Sequence, residues 1–92
     1  MNKKRDRLEV IHDMLQALQD KGHGVKPTHI MYKSNLSHQM LKDYLPELLE
    51  KGFIIECIEK KGKKTYRLAA KGFNFLKDYS MIKGFVDSYG LD

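Results

Sequence analysis

The chain has 92 residues, 41% hydrophobic and 32% charged, which suffices for one modest core and is too little for two domains. Its one cysteine, Cys57, excludes an intramolecular disulfide and suits a reducing compartment. No apolar run approaches the roughly 20 residues of a membrane-spanning helix. The basic N-terminus "MNKKRDR" is not followed by the apolar stretch of a secretory signal. A net charge of +5 points to an anionic partner, whether nucleic acid, lipid or acidic protein.

Residues 4–21 place Leu8, Ile11, Leu15 and Leu18 on one stripe, widened by Val10, Met14 and Ala17, which is the period of an amphipathic helix. "KGHG" at 21–24 ends it, because glycine takes the left-handed conformation that closes helices. Pro27 opens a short second helix reaching about Lys33, with Ile30, Met31 and Tyr32 as its apolar content. Ser34-Asn35-Leu36 reads as a turn. Ser37 then caps a third helix reaching about Lys51, with Gly52 as its stop. Pro46 lies inside this helix, deletes the bond to the carbonyl of Lys42, and predicts a kink.

"FIIECIE" (53–59) is rich in β-branched and aromatic residues and reads as a strand; "KKGKK" (60–64) is a glycine-centred loop; "TYRL" (65–68) is a second strand. Together they make a hairpin whose turn type no Asn-Gly or Asp-Gly pair specifies. From about Ala70 to Tyr89 the period is helical again. Phe75, Tyr79, Ile82, Val86 and Tyr89 form one stripe, and Phe73 and Leu76 are expected to face the chain's own core.

The order α-α-turn-α-β-wing-β-α is that of a winged helix-turn-helix, mainly α with a small β-hairpin (α+β). It predicts a single domain over residues 1–92, with a core at about 4–76 and a C-terminal helix at about 70–89. The segment "PTHIMYKSNLSHQMLKDYLPELLEKGFI" resembles the archaeal winged helix-turn-helix transcriptional regulators that carry a K-T-R-I-M-Y-x-x-N-L-S-Y-x-x-L-x-x-Y-L-x-x-L-x-x-x-G-L-I pattern. "YRLAAKGFNFL" resembles their wing exit, Y-x-x-T-x-K-G-x-x-F-L; the two blocks lie within residues 8–80. The resemblance implies a DNA-binding fold, often dimeric through the last helix. Two departures from the pattern bear on function. Thr28-His29 stands for Thr-Arg, which removes one positive contact, and Ala69 or Ala70 stands where a threonine would cap the last helix.

On the third helix, Leu41, Leu45 and Leu48 fall on the core side with Leu36 before them. His38 falls on that side too and reads as a histidine covering the core rather than a DNA contact. The opposite face carries Gln39, Met40, Asp43, Glu47 and Glu50, with Lys42 at the flank. Gln39 can pair with adenine, Met40 can meet a thymine methyl and Asp43 can accept from cytosine. The alternative is a plain solvated face, since the acids repel phosphate. The predicted DNA-binding set is Lys33, Ser34, Asn35, Ser37, Gln39, Met40, Lys42 and Asp43 in the turn and third helix, with Lys60, Lys61, Lys63 and Lys64 at the wing tip. Lys3, Lys4, Arg5 and Arg7 form a second basic cluster that is equally a ragged terminus.

Phe75, Tyr79, Ile82, Phe85, Val86 and Tyr89 are the predicted dimer interface of the last helix, the alternative being that the stripe folds back onto the first helix. The four histidines and single cysteine do not make a zinc pattern, and no nucleophile motif or phosphate-binding glycine loop is present. The expectation is therefore a non-enzymatic, cytoplasmic, nucleoid-associated regulator of transcription. It would be a homodimer on double-stranded DNA, with no cofactor, metal, membrane partner or legible small-molecule effector. The rival readings are a winged-helix protein-interaction module and a DNA-coating protein without sequence preference.

Overall fold

The structure, a computed structural model, describes residues 5–91. Among the described residues the helices are α1 (Arg7–Lys21), α2 (Pro27–Lys33), α3 (His38–Glu50) and α4 (Ala70–Ser88). Strands β1 (Ile54–Ile58) and β2 (Lys64–Leu68) form the hairpin between α3 and α4. The expected order of elements is therefore the observed one. Lys64 begins β2 rather than ending the loop.

Each helix is punctuated by local chemistry. The Asp6 carboxylate accepts from the Glu9 amide (2.8 Å) at the start of α1, and Gly22 closes that helix at φ 96°. Val10, Ile11, Met14, Leu15, Ala17 and Leu18 are the buried face of α1, while Leu8, placed on that face by the sequence pattern, is exposed. α3 runs unbroken from His38 to Glu50 across Pro46, so the ring does not end it. Pro46 is exposed, and the bonds on either side carry the helix past the one it lacks.

The strands pair antiparallel with Ile54 opposite Leu68 and Ile58 opposite Lys64. Val25 joins β2 from the other side. Its amide donates to the Tyr66 carbonyl (3.2 Å) and its carbonyl accepts from the Tyr66 amide (2.9 Å). The sequence pattern did not predict this bridge, because one residue between Gly24 and Lys26 makes no run.

The core lies between α1, α2, α3 and the inner side of the hairpin. Met14, Leu15, Leu18, Val25, Ile30 and Leu48 are its fully buried members. Burying a side chain of this size stabilises by about 1.5–3 kcal/mol relative to leaving it exposed. Leu41, Leu45 and Leu49 pack against this core from α3.

α4 docks across the base of the hairpin. A Cβ on Gly72 would lie 2.5 Å from the Phe53 carbonyl oxygen and 2.8 Å from a Leu68 methyl, so only glycine fits that approach. The neighbouring Lys71 ammonium donates to the Lys51 carbonyl (2.8 Å) at the end of α3 and sits 4.5 Å over the Phe53 ring. Leu76 is buried as expected, but Phe73 is 49% exposed. Phe75 packs edge-on to Phe53 instead, at 5.8 Å between ring centroids.

Candidate nucleic-acid interface

The turn between α2 and α3 is tight and fully bonded. The amides of Ser34, Asn35 and Leu36 donate to the carbonyls of Ile30, Tyr32 and Met31. Asn35 carries the left-handed backbone (φ 55°) that reverses the chain, a conformation asparagine tolerates better than most side chains. Ser37 then caps α3, its hydroxyl accepting from the Met40 amide (3.1 Å).

The expected contact residues separate on burial. Lys33, Asn35, Ser37, Gln39, Lys42 and Asp43 are exposed. Met40 is half-buried against the core and offers only part of its side chain. Ser34 is 2% exposed and its hydroxyl donates to the Asp13 carbonyl (3.3 Å), so it must be struck from the contact set. His38 requires the opposite correction. It is exposed at the first position of α3, because that first turn projects beyond the core that Leu41, Leu45 and Leu48 pack against. It joins the outward face that the wheel argument denied it. Tyr32, counted in the sequence pattern as apolar content of α2, is 76% exposed beside the turn.

The acidity of the α3 face is less than its composition suggests. Glu47 pairs with Arg7 and with Lys51 (2.7 Å), and the Arg7 guanidinium lies 5.7 Å from the Tyr44 ring. The Gln39 amide donates to the Asp43 carboxylate (2.9 Å), which occupies both groups with each other. Arg5 is likewise engaged within the chain, with Asp13 and with the turn carbonyls of Ser34 and Asn35. Of the N-terminal basic cluster, Lys3 and Lys4 lie outside the described residues.

The wing tip is the contrasting region. Lys60, Lys61, Lys63 and Lys64 are all exposed, and among the described residues none of them takes part in an ion pair. A single 3₁₀ turn over Lys60–Gly62 makes the tip, with Lys61 (φ 68°) and Gly62 (φ 76°) both left-handed. A left-handed lysine costs about 1–2 kcal/mol, which the tip sustains between the Glu59 amide–Lys63 carbonyl bond (2.6 Å) and the Gly62 amide–Glu59 carbonyl bond (3.1 Å). The stem of the wing faces the start of α2 across a groove of about 440 Å³. Lys26, Thr28, Lys63 and Lys64 line it, extending the positive surface from the hairpin onto the helix-turn-helix. Nothing local in the sequence marks Lys26, since only the Val25 bridge to Tyr66 brings it beside the wing.

Tyr66 supports the wing from inside. Burial first, then the charge of Glu56 and the hydrogen bond to it (3.2 Å), raise its phenol above the ordinary value. On the far side of the domain Tyr79 of α4 stacks on His12 of α1 (4.3 Å). Its phenol is raised by burial, then by Glu9, Asp6 and Asp13, with Lys83 opposing. Tyr79 therefore packs on α1, as the fold-back alternative has it, while Phe75 packs within the chain on Phe53. Val86 is half-buried, whereas Ile82, Phe85 and Tyr89 are 64%, 62% and 68% exposed.

No helix among the described residues is long and apolar enough to cross a membrane, and no group of metal-binding side chains gathers among them. No curated protein sequence matches the chain. Among solved structures it is similar to Sso10a-2, a DNA-binding protein from Sulfolobus solfataricus. The TM-score is 0.77 at 21% identity, covering 92% of this chain and 86% of that one. It is also similar to the PcaV transcriptional regulator from Streptomyces coelicolor, with TM-score 0.76 at 13% identity, over 87% of this chain and 60% of that one. The S. aureus MepR–DNA complex matches with TM-score 0.67 at 15% identity, over 94% of this chain and 61% of that one. The chain thus spans most of Sso10a-2 but about 60% of the PcaV and MepR chains. At such identities these likenesses speak to the fold, with its three helices, hairpin wing and final helix. The winged helix-turn-helix family model matches residues 4–86, and the chain belongs to that family.

Proposed function

We propose that this protein binds double-stranded DNA and regulates transcription, with the first half of α3 in the major groove and the wing on the phosphate backbone. It would do so as a non-enzymatic, nucleoid-associated cytoplasmic protein of the archaeal type that the "PTHIMYKSNLS" segment resembles. One observation carries the reading: four exposed lysines without ion-pair partners among the described residues crown a hairpin beside a capped helix-turn-helix. Each phosphate such a lysine neutralises releases condensed counterion, so affinity should fall with salt. The contact set is Lys33, Asn35, Ser37, His38, Gln39, Lys42 and Asp43 with the exposed part of Met40, together with Lys60, Lys61, Lys63 and Lys64. A second copy would pair through the C-terminal half of α4, where Ile82, Phe85 and Tyr89 stand exposed. Two copies present two reading helices to half-sites about one helical turn apart.

A labelled random-sequence duplex titrated by fluorescence anisotropy at several salt concentrations tests the reading. The expected slope of log affinity against log salt is about −4 or steeper, and replacing all four wing lysines by glutamine should make it shallower by about 3 to 4. If the intact protein does not bind even at low salt, the protein-interaction reading takes its place.

A second reading rests on the Gln39–Asp43 bond, which turns the best base-reading groups of α3 toward each other. On that reading the protein coats DNA without sequence preference. Equal affinity for unrelated duplexes supports it, and a preference of tenfold or so, about 1.4 kcal/mol, counts against it.

A further inference from the structure

Arg5 precedes α1 in the chain yet reaches the helix-turn-helix. Its Nη1 donates to the Asp13 carboxylate (2.7 Å) and to the Ser34 carbonyl (2.7 Å), and its Nη2 donates to the Asn35 carbonyl (2.8 Å). These carbonyls belong to the end of α2 and to the left-handed residue that follows it, where helix geometry supplies no backbone donor. Among the described residues no other side chain donates to either of them. The other Asp13 oxygen lies 3.0 Å from His12 Nδ1, and His12 stacks on Tyr79 of α4, so the carboxylate is held from both sides. Ser34 completes the tie, its hydroxyl donating to the Asp13 carbonyl.

We propose that Arg5 is a positioning residue for the reading helix. It clamps the turn to α1 and thereby fixes the direction in which α3 leaves it. The proposal rests on the DNA-binding reading above. The first turn of α3 meets the core only through Met40 and Leu41, both half-buried, while Ser37, His38, Gln39, Lys42 and Asp43 are exposed. Its direction is set by that contact together with the turn behind it, and the turn is bonded to α1 through Arg5 and Ser34. A guanidinium can hold a carboxylate and two carbonyls at once through its planar fork; a lysine ammonium, a point charge on a flexible stem, cannot do so with the same geometry. Because the fork is engaged within the chain, Arg5 is not a phosphate contact, although its place in a basic N-terminus invites that reading.

The test compares the full-length protein with Arg5→Gln, Arg5→Lys, Asp13→Asn and the Arg5→Gln/Asp13→Asn double variant. Affinity for one duplex is measured across salt concentrations, together with thermal unfolding and amide hydrogen exchange at residues 35–40. Arg5→Gln should weaken binding on the order of tenfold at every salt concentration with the salt slope unchanged, because the turn loses the charge-assisted bonds that hold it. Exchange at the amides of Leu36 and Met40 should quicken. Arg5→Lys should recover part of the affinity, and Asp13→Asn should act in the same direction. The double variant should be no worse than Arg5→Gln alone, as for partners in one network. A slope made shallower by about one would identify Arg5 as a phosphate contact and overturn the proposal. So would unchanged affinity beside a lowered melting temperature, which makes the clamp purely structural. Failure of the DNA-binding reading would look different: the unsubstituted protein itself would not bind.

Discussion

Tyr66 lies 4% exposed under the wing, its hydroxyl donating to the Glu56 carboxylate across the hairpin. Its raised phenol has a definite consequence for stability against pH. The unfolded chain gives up the phenolic proton near pH 10, before the folded chain does. The Tyr66 contribution is therefore intact below about pH 10 and lost as pH rises through the folded value. Tyr66→Phe should cost roughly 0.5–1.5 kcal/mol at neutral pH through the lost hydrogen bond. Its disadvantage should then shrink in urea unfolding at about pH 11, because phenylalanine has no proton to lose. A disadvantage that stays constant with pH would show that the phenol does not titrate differently in the two states. At this same scale the sequence is least legible. Arg5 and Arg7 look like a free basic patch, yet each pairs with an acid of a helix, Asp13 of α1 and Glu47 of α3. Ser34 looks like an exposed turn residue and is buried against the Asp13 carbonyl. His38 lies on the apolar side of a helical wheel, but a wheel does not say where along the helix the core ends. All four depend on which elements lie side by side in space, which periodicity does not encode.

The elements themselves are legible, because their signals are local. Pro27 at the first position of α2, Ser37 before α3 and the glycines at 22 and 52 act through their own backbones and near neighbours. α4 is the exception among the longer helices, as its start carries no side-chain cap. Asp6 and Ser37 accept from the backbone at the starts of α1 and α3, whereas Ala69 has no group to do so. The Ala69 backbone (φ −85°, ψ 170°) is already the extended conformation seen at Ser37 (φ −75°, ψ 164°). Ala69→Ser should therefore stabilise the protein by about 0.5–2 kcal/mol, raising the melting temperature by about 4–8 °C per kcal/mol for a domain of this size. An unchanged melting temperature would mean that the Gly72 amide, bonded now to the Ala69 carbonyl, gains nothing from a hydroxyl. Pro46 shows the limit of single-residue rules at this scale. A proline can break a helix, but α3 continues across it from His38 to Glu50.

At the scale of the molecule, what matters is the surface that α4 leaves uncovered. The domain measures 50 × 29 × 21 Å. The first half of α4 is absorbed by α1 and the hairpin through Gly72, Phe75, Leu76 and Tyr79. Beyond Ser80, Met81, Ile82, Phe85 and Tyr89 follow one another at helical spacing with exposures of 62–68%, and the Phe85 and Tyr89 rings touch at 5.0 Å. The dimer stripe read from the sequence thus straddles two roles, its N-terminal part packing inside the chain and its C-terminal part facing outward. A stable interface buries about 800 Å² per partner, more than two exposed helical turns offer, so the pairing of two α4 helices should depend on concentration. Sedimentation of the intact protein should show a species of twice 10.7 kDa growing in over the micromolar range. Ile82→Glu with Phe85→Glu should abolish it without loss of helical circular dichroism, since neither side chain supports the core. The same double variant should lose most of its DNA affinity. A monomer that offers one reading helix forgoes the second half-site, and its wing lysines are left to act alone. If the intact protein sediments as a monomer throughout, the exposed stripe does not pair copies of this chain. Each domain would then have to bind DNA with a single reading helix, which the modest outward chemistry of α3 makes weak.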